Sequence, residues 1–290
     1  MEKKINSFLQ DIKNVVDAEV EKALRHDVTL TDGLYKSAEY SAGGGKRVRA
    51  VFTILVGNLF GVAPEKLYKT ASAVEMIHAA SLIMDDLPYM DDSQLRRGKP
   101  ANHVVFGQDV ALCASIALLS QALVMVQDDE SLTIEQRHGA ASVLTRAFGF
   151  DGLAAGQFVD LKLKTKNVDY SIIEFINAKK TAALFTAAGK AAAMVGGANE
   201  EQMKAIETYS ENIGFAFQII DDLLDASGNK NVVGKDLSHD KMNFVMLVGE
   251  EQAYKDAEKH TQKALEALNI FGDKSAELRA LSDFLLKRVR

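Results

Sequence analysis

Two short stretches rich in aspartate carry the most specific chemistry in this sequence. Residues 81–92 read SLIMDDLPYMDD, and residues 218–225 read QIIDDLLD. Asp221 and Asp225 are four residues apart, which places both carboxylates on one face of a helix. An acidic pair at this spacing usually faces solvent, but the stretch IGFAFQIIDDLLD has no other polar side chain except Gln218 and Asp222. Because a buried carboxylate without a partner is costly, we expect a positive group to bind here.

The first acidic stretch lies where a helix is expected to end. Pro88 disfavours helical geometry in the residue before it, so Asp85 and Asp86 fall in the last turn. The negative end of the helix dipole adds to their charge there. Helical spacing does not align Asp85 with Asp91. We therefore expect the loop of residues 87–90 to bring these two carboxylates together.

The donor set indicates a hard divalent cation and a polyphosphate. Carboxylates without a nearby Cys or His cluster suit Mg²⁺ or Mn²⁺. Mg²⁺ usually takes one or two protein carboxylates and completes its shell with water and phosphate oxygens. Basic stretches of this kind are usually solvated loops, but their pairing with the acidic stretches favours binding of phosphate. The basic side chains of GGGKRVR and RRGK are Lys46, Arg47, Arg49, Arg96, Arg97 and Lys99.

Composition and charge exclude several classes of protein. The net charge of −6 argues against broad electrostatic binding of nucleic acid. The single cysteine, Cys113, excludes an internal disulfide and a cysteine-based zinc site, and its apolar surroundings predict a buried, inert thiol. Residues 1–24 have the pattern of an amphipathic helix rather than a signal peptide. We find no run of the roughly 18 apolar residues that a membrane span needs, and we expect a cytoplasmic protein.

Helical periodicity dominates the chain. All three prolines lie in the first 100 residues, and strand-like alternation never persists. Residues 108–126 and 179–195 are apolar around most of the helical circumference, so we expect both helices to be buried on several sides. No linker or composition break divides the sequence. It predicts a single all-α domain over residues 1–290, a bundle of roughly ten or more helices.

Five motifs together resemble one enzyme family. They are GGGKRVR, DDLPYMDD followed by RRGKPANH, GLAAGQFVDL, KKTAALF and FQIIDDLLD. From about residue 35 to the C-terminus, the chain resembles the trans-isoprenyl diphosphate synthases, which include farnesyl and geranylgeranyl diphosphate synthases. The resemblance implies a deep central cavity with the two aspartate motifs facing each other across its opening. It also implies a homodimer.

The resemblance assigns roles to individual residues. It implies three Mg²⁺ ions, with Mn²⁺ as an alternative, held directly or indirectly by Asp85, Asp86, Asp91, Asp221, Asp222 and Asp225. Isopentenyl diphosphate would be held by Lys46, Arg49, His78 and Arg97, although a lone His on an apolar helix is more often a core residue. The allylic diphosphate would be held by Arg96, Lys180, Thr181, Gln218 and a lysine of the 230–241 loop, with Lys235 and Lys241 as candidates. The catalytic set would be Asp85, Asp91, Asp221, Lys180 and Arg96.

The implied reaction is a head-to-tail condensation. Isopentenyl diphosphate would add to an allylic diphosphate through an allylic carbocation, giving an all-trans C15–C20 prenyl diphosphate and diphosphate. Farnesyl-forming relatives commonly have an aromatic residue five positions before the first aspartate. Ala80 stands there, followed by Ser81. Five residues span roughly 7.5 Å of helix, so small side chains leave room for a longer prenyl tail. We therefore expect a geranylgeranyl product.

Three departures from the family pattern leave alternatives open. Met84 and Asn177 replace usual histidines, and Ile116 stands where the family often has an aspartate. Together they suggest a divergent member of the family with altered rate or specificity. A weakly active or regulatory subunit of a heteromeric synthase is one alternative function, although the intact aspartate motifs argue against it. A terpene cyclase is the other alternative. Such enzymes typically carry an Asn/Ser/Glu triad at the second metal site, where this chain has DDLLD.

Overall fold

The computed structural model describes residues 2–27, 29–162, 169–226 and 243–287. Helices make up most of the chain before residue 163. Their bounds are α1 Glu2–Ala23, α2 Asp32–Ala42, α3 Val48–Leu59, α4 Tyr68–Asp85, α5 Asn102–Phe106, α6 Gln108–Gln127, α7 Ile134–Phe148 and α8 Leu153–Lys162. Short 3₁₀ turns, Thr29–Thr31 and Pro64–Leu67, precede α2 and α4. The only sheet among the described residues is an antiparallel hairpin of β1 (Leu95–Arg96) and β2 (Lys99–Pro100).

The rest of the described chain is also helical. Its elements are α9 Tyr170–Ile176, a π-helical segment Asn177–Ala182, α10 Ala183–Val195, α11 Glu200–Ala226, α12 Phe244–Val248, α13 Glu250–Ala267, a 3₁₀ stretch Leu268–Ser275 and α14 Ala276–Leu286. The all-α prediction is therefore confirmed. Single π-helical turns are rare in proteins, and those that occur often lie at functional sites. The segment of residues 177–182 is therefore a candidate part of a functional site.

Helix α10 lies at the centre of the bundle and packs against α3, α4, α7 and α11. Its Phe185 ring meets Phe52 of α3 edge-on at 5.5 Å, and Phe52 stacks on Tyr209 of α11 at 5.8 Å. Alanines fill most of the remaining buried positions of α10. Small side chains let several helices approach one axis, so the prediction of a helix buried on several sides is confirmed here.

Two glycines let neighbouring helices approach the π-helical segment closely. A Cβ atom on Gly156 of α8 would lie 2.7 Å from the backbone nitrogen of Lys180. A Cβ atom on Gly214 of α11 would lie 2.7 Å from the Cα atom of Ala182. Any side chain at either position would force the backbones apart. These glycines therefore set the spacing between α8, the π-helical segment and α11.

The N-terminal helix has the expected amphipathic pattern. Ile12, Val16, Val20 and Leu24 recur every four residues and are buried against the bundle. Helix α1 packs mainly on α4 and α3 through this stripe. The first helix is thus part of the core, and its polar face is free to point outward.

Helix α6 differs from the prediction. It packs on α4 and α2, but Leu112, Ile116 and Val124 are 38%, 59% and 40% exposed. Cys113 is also exposed, so the expectation of a buried thiol was wrong. An all-apolar sequence does not reveal which face neighbouring helices cover. Here one apolar face of α6 is left uncovered within a single chain.

Helix α6 meets the length and composition criteria for a membrane-spanning helix. Among the described residues, it is the one helix that is long and apolar enough to cross a membrane, and 39% of its most apolar window is buried. Ser115, Ser120 and Gln121 interrupt its apolar sequence, so the prediction that no uninterrupted run reaches roughly 18 apolar residues still holds. Core helices of soluble proteins meet the same criteria.

Candidate active site

Lys180 lies among three carboxylates that come from two separate parts of the chain. Its ammonium nitrogen lies 2.9 Å from Oδ2 of Asp160, 3.8 Å from Oδ2 of Asp85 and 4.0 Å from Oδ2 of Asp91. The predicted approach of Asp85 and Asp91 is confirmed, since the backbone nitrogen of Asp91 also donates to the carbonyl of Asp85 at 2.9 Å. The four side chains form a compact ionic cluster that is mostly shielded from solvent.

Asp86, next to Asp85 in the sequence, forms its ion pair with Arg96 rather than with Lys180. The guanidinium Nε of Arg96 lies 3.0 Å from both carboxylate oxygens of Asp86, and Nη2 makes a further short contact. Asp86 is only 2% exposed. The β1–β2 hairpin thereby fastens Arg96 to the end of α4. Asp86 thus holds the guanidinium group of Arg96 in place, and its supporting role at the metal site stays a prediction.

The second aspartate motif meets the π-helical segment from the other side. Thr181, which follows Lys180, donates its hydroxyl hydrogen to the carbonyl oxygen of Gln218 at 2.6 Å. The amide nitrogen of Gln218 donates to Asp222 at 2.8 Å, and the other Asp222 oxygen accepts from the backbone nitrogen of Phe244 at 3.1 Å. Adjacent residues of one segment thus contact both aspartate-bearing helices. Asp222 connects α11 to the start of α12.

Asp221 and Asp225 remain partly exposed on α11, on the predicted common face. Burial lowers the pKa of Arg49 on α3, and the carboxylates of Glu75 and Asp221 oppose this shift. The structure therefore brings the second motif near the basic stretch at residues 46–49 as well as near the π-helical segment. Asp221 and Asp85 are carried by helices that meet the same π-helical segment, which agrees with two motifs around one site.

The predicted cationic residues gather beside the glycine loop. Nη1 of Arg49 lies 3.5 Å from Nε2 of His78, and its guanidinium carbon lies 4.7 Å from the centre of the Phe185 ring. Arg97 packs over the backbone of Gly45, where a Cβ atom would lie 3.0 Å from the guanidinium carbon. Gly45 has a φ of +92°, which favours glycine. Lys46 is exposed at the same loop.

Burial and charge shift several pKa values in this region. Burial lowers the pKa of His78 well below its usual value, and the neighbouring arginines lower it further, so the imidazole is neutral near pH 7. Burial raises the pKa of Asp85, although Lys180 opposes this shift. Burial alone would lower the pKa of Lys180, but the carboxylates of Asp85, Asp160 and Asp91 outweigh it and raise the pKa above its usual value. Lys180 is therefore a permanent cation.

The residues present fit a site for a divalent cation and a diphosphate. Across the described ranges, no three His, Cys, Asp or Glu side chains converge as a ready-made metal cage. Mg²⁺ does not require one, because it binds through one or two carboxylates with phosphate oxygens. The ammonium group of Lys180 lies close to both Asp85 and Asp91, which shows that these two carboxylates can share one positive charge. Buried atoms without a hydrogen-bond partner, Arg49 Nε and Asn177 Nδ2, lie on elements that line the site and could donate to a bound anion.

The sequence prediction missed Asp160 and Glu75. Asp160 belongs to GLAAGQFVDL, which contributed to the resemblance without a residue being assigned a role. Its position three residues after Gln157, on the same face of α8, was the available signal. Glu75 lies one turn before His78 on an apolar helix. A buried glutamate among apolar neighbours indicates a specific polar partner. In the structure, Glu75 contacts the guanidinium group of Arg47 and the backbone nitrogen of Ala50.

Several predicted residues lie away from the ionic cluster or beyond the described ranges. Lys235 and Lys241 lie outside the described residues. Ala80 is fully buried, and its carbonyl accepts a hydrogen bond from the Ser115 hydroxyl at 2.8 Å. Ser81 is half-buried and donates to the carbonyl of His78. The chain-length role of these two residues stays a prediction.

The departures from the family pattern have separate locations. Asn177 opens the π-helical segment, and Met84 is the penultimate residue of α4. Both are therefore close to site residues in sequence. Ile116 lies instead on the uncovered face of α6.

Comparison with known proteins identifies the family of this chain. The family model described as polyprenyl synthetase matches residues 31–281. The chain belongs to the polyprenyl synthetase family. This polyprenyl synthetase is 39% identical over 283 residues to the heterodimeric geranylgeranyl pyrophosphate synthase large subunit 1 of Arabidopsis thaliana, covering 93% of this chain and 76% of that protein. It is 35% identical to the geranylgeranyl diphosphate synthase of Cyanophora paradoxa, covering 97% of this chain and 96% of that protein.

The fold has a close match among solved structures. The FPP/GFPP synthase of Zymomonas mobilis superposes with a TM-score of 0.90 at 30% identity, covering 99% of this chain and 100% of that one. The protein is an enzyme of the prenyltransferase class. Members of this family act on isoprenoid diphosphate substrates.

Proposed function

We propose that this protein is a Mg²⁺-dependent synthase that condenses isopentenyl diphosphate with an allylic diphosphate, and that its product is a C20 chain or a mixture of C15 and C20. The allylic substrate would be dimethylallyl, geranyl or farnesyl diphosphate. The observation that carries the proposal is the position of Lys180 between Asp85, Asp91 and Asp160, next to Thr181 at the second motif. The carboxylates that would bind cations and the lysine that would bind diphosphate therefore lie side by side at the π-helical segment.

The chain's own residues would drive ionisation of the allylic substrate. When the carbon–oxygen bond breaks, its electron pair leaves with the diphosphate, and an allylic cation remains. Lys180 and Arg96 are held where they can stabilise the growing negative charge on the leaving group. Both are positioned by carboxylates, Asp160 and Asp86, so little reorganisation is needed at the moment of reaction.

The second half of the reaction would use the basic loop. Lys46, Arg49, His78 and Arg97 would hold isopentenyl diphosphate so that its alkene faces the cation. The alkene supplies the electron pair of the new carbon–carbon bond, and a proton is then lost to the departing diphosphate. Neutral His78 can donate a hydrogen bond to phosphate without adding charge. The apolar helices around the site exclude water that would capture the cation.

Divalent ions belong to the proposal. Asp85, Asp91 and Asp221 would hold Mg²⁺, or Mn²⁺, with support from Asp86, Asp222 and Asp225, as the family resemblance implies. The bound metal would neutralise the diphosphate and make it a better leaving group. Three ions are proposed on the same ground. The family as a whole is generally dependent on divalent metal.

A homodimer is the proposed assembly. The uncovered face of α6, with Val105 from α5 at 47% exposure, forms an apolar strip that a second copy of the chain would cover. Large apolar patches are uncommon on monomeric soluble proteins. Sedimentation equilibrium of the protein and of Ile116→Lys tests this. The wild type is expected to sediment as a dimer and the variant as a monomer; a monomeric wild type would contradict it. The cytoplasmic location stays a prediction.

One assay tests the proposed activity. Purified protein is incubated with Mg²⁺, isopentenyl diphosphate and each allylic primer in turn, and the products are separated by chromatography. The expected result is an elongated chain with release of one diphosphate per condensation. Elongation only after a second synthase subunit is added would instead support the regulatory-subunit alternative, which the name of the Arabidopsis relative makes relevant. A cyclic hydrocarbon product would indicate a terpene cyclase.

A further inference from the structure

Arg47 differs from the other cations of the basic loop because its side chain points into the protein. Its side chain is only 1% exposed. The backbone φ of Arg47 is +52°, in the left-handed region, where a non-glycine residue is uncommon. Arg47 immediately precedes α3, so it stands at the helix N-cap, where its side chain makes no capping hydrogen bond. A strained and buried arginine persists only when its surroundings hold it there.

Asp17 and Ala42 provide most of that support. Nε of Arg47 donates to Oδ1 of Asp17 at 2.7 Å, and Nη2 lies 2.6 Å from the same oxygen. Nη2 also donates to the carbonyl of Ala42 at 2.6 Å. Asp17 comes from α1 and is shared with Lys13, one turn earlier on the same helix. The guanidinium of Arg47 is therefore directed away from the site and toward α1.

Glu75 completes the arrangement from α4. One of its oxygens lies 3.6 Å from Nη1 of Arg47. The other accepts a hydrogen bond from the backbone nitrogen of Ala50 at 3.0 Å. Ala50 is the third residue of α3, and its N–H is one of those that a helix leaves unpaired at its start. Glu75 thus supplies from another helix the cap that Arg47 does not provide, and its charge favours the positive end of the helix dipole.

This network surrounds the backbone that presents Lys46 and Arg49. Lys46 precedes Arg47, and Arg49 lies in the first turn of α3. The cations here repel one another: burial lowers the pKa of Arg97, and the charge of Arg47 lowers it further, while Glu75 opposes both effects. The partly exposed carboxylate of Asp17 and the buried carboxylate of Glu75 offset this positive charge and hold the loop backbone through Arg47.

We propose that Asp17, Arg47 and Glu75 are positioning residues for the isopentenyl diphosphate subsite. They do not touch the substrate. They fix the backbone of residues 46–49 so that Lys46 and Arg49 meet the diphosphate in one orientation, and they make the affinity of this subsite depend on helix α1. The inference rests on the proposed function, since it concerns the second substrate of that reaction.

The test compares Asp17→Asn and Glu75→Gln with the wild type. Both variants keep the size of the side chain, and Glu75→Gln keeps an oxygen that can accept from Ala50. A small displacement of a binding group can cost about 100-fold, so we expect KM for isopentenyl diphosphate to rise about 10-fold to 100-fold. KM for the allylic diphosphate and kcat should change less than about threefold. Glu207→Gln, which removes the partner of Lys190 elsewhere in the bundle, is the matched control.

A second measurement does not depend on turnover. Calorimetric titration of isopentenyl diphosphate in EDTA reports the metal-free affinity of the basic subsite. We expect weaker binding in Asp17→Asn and Glu75→Gln than in Glu207→Gln, by the same factor as the change in KM. Arg47→Lys, which keeps the charge but loses the two-pronged contact, should lie between the wild type and Asp17→Asn.

The outcomes separate this inference from the proposed function. A wild type without elongation would refute the proposed function, and the titration in EDTA would still test the subsite. Equal affinities of wild type and both variants for isopentenyl diphosphate would overturn the inference. So would an equal rise in both KM values, because that would indicate general destabilisation. Melting temperatures identify any variant that has lost its fold. If Glu75→Gln unfolds, Asp17→Asn, whose side chain is partly exposed, decides the result.

Discussion

The ammonium nitrogen of Lys180 lies 2.9 Å from the carboxylate of Asp160, and the same nitrogen lies within 4.0 Å of Asp85 and Asp91. Asp160 is carried by α8, whereas the other two carboxylates belong to the end of α4 and the loop after it. A single lysine therefore offsets negative charge contributed by two separate elements. The lysine that neutralises these carboxylates is therefore the same residue that would bind the allylic diphosphate.

Replacing Lys180 should affect catalysis strongly. Removing a preorganised positive group from a leaving-group site typically costs about 100-fold to 1,000-fold in kcat, and we expect Lys180→Gln to fall in this range. Asp160→Asn should cost less, about 10-fold, because Asp85 and Asp91 continue to hold the lysine. Steady-state kinetics measure both. Lys190→Gln is the control, and a loss no greater than the control's would remove Lys180 from the mechanism.

Metal removal should abolish turnover. Excess EDTA is expected to stop elongation, and added Mg²⁺ or Mn²⁺ is expected to restore it. Asp85→Asn and Asp221→Asn should each raise the Mg²⁺ concentration for half-maximal activity at least about 10-fold, because each loses a charged oxygen ligand.

Thermal stability gives an independent check of the metal site. Mg²⁺ with inorganic pyrophosphate at about 100 times their dissociation constant would stabilise the wild type by about 2.7 kcal/mol. This should appear as a rise in melting temperature of several degrees. The rise in melting temperature should persist in Asp283→Asn, which changes an exposed residue of α14. It should be absent in Asp85→Asn. Full activity after exhaustive chelation would contradict the metal requirement.

Product length should respond to Ala80 and Ser81. Ala80→Tyr is expected to shift the products from C20 toward C15, because the ring would occupy space that the prenyl tail needs. The cost in stability is about 1–3 kcal/mol, since Ala80 is fully buried against α6. Ser81→Phe should produce the same shift with a smaller cost. Chromatography of the products from each primer measures the effect; an unchanged distribution from a folded variant would assign chain length to other residues.

Acid stability should depend on His260 of α13. Its ring stacks on Phe215 at 4.9 Å, and Nδ1 lies 2.8 Å from Oδ1 of Asn212. Burial lowers the pKa of His260 from 6.5 to about 4. Between those two values the unfolded chain binds a proton that the folded chain does not bind. The free energy of unfolding therefore falls as the pH falls from about 6.5 to about 4.

His260→Gln measures this contribution. The wild type should lose about 1–2 kcal/mol more than the variant across that pH range, after allowance for solvent screening of a partly exposed ring. Denaturant unfolding at pH 7, 5.5 and 4.5 provides the comparison. His138→Gln, at an exposed position of α7, controls for the loss of an imidazole. Parallel pH profiles for wild type and His260→Gln would show that His260 does not contribute.

The fold class and the chemistry of the site followed from local features. Helical periodicity and the scarcity of strand patterns predicted the all-α bundle, because an element's period depends only on neighbouring residues. The spacing of Asp85, Asp91, Asp221 and Asp225 within apolar stretches predicted cation binding for the same reason. Helix α6 shows where this reasoning failed: its sequence is apolar around most of the helical circumference, and nothing local indicates which side neighbouring helices cover.

Other features required the packing of distant segments. The sequence by itself determined which residue types can bind cations and diphosphate, and on which helices they lie. Only the tertiary structure decided that Lys180 meets Asp160, that Arg47 turns inward to Asp17, and that Glu75 caps α3. These contacts join residues far apart in the chain, and the contact between Lys180 and Asp160 also needs the close approach of α8 to the π-helical segment that Gly156 permits. Partner choice among buried charges is a property of that packing, because no local pattern specifies which opposite charge will be near.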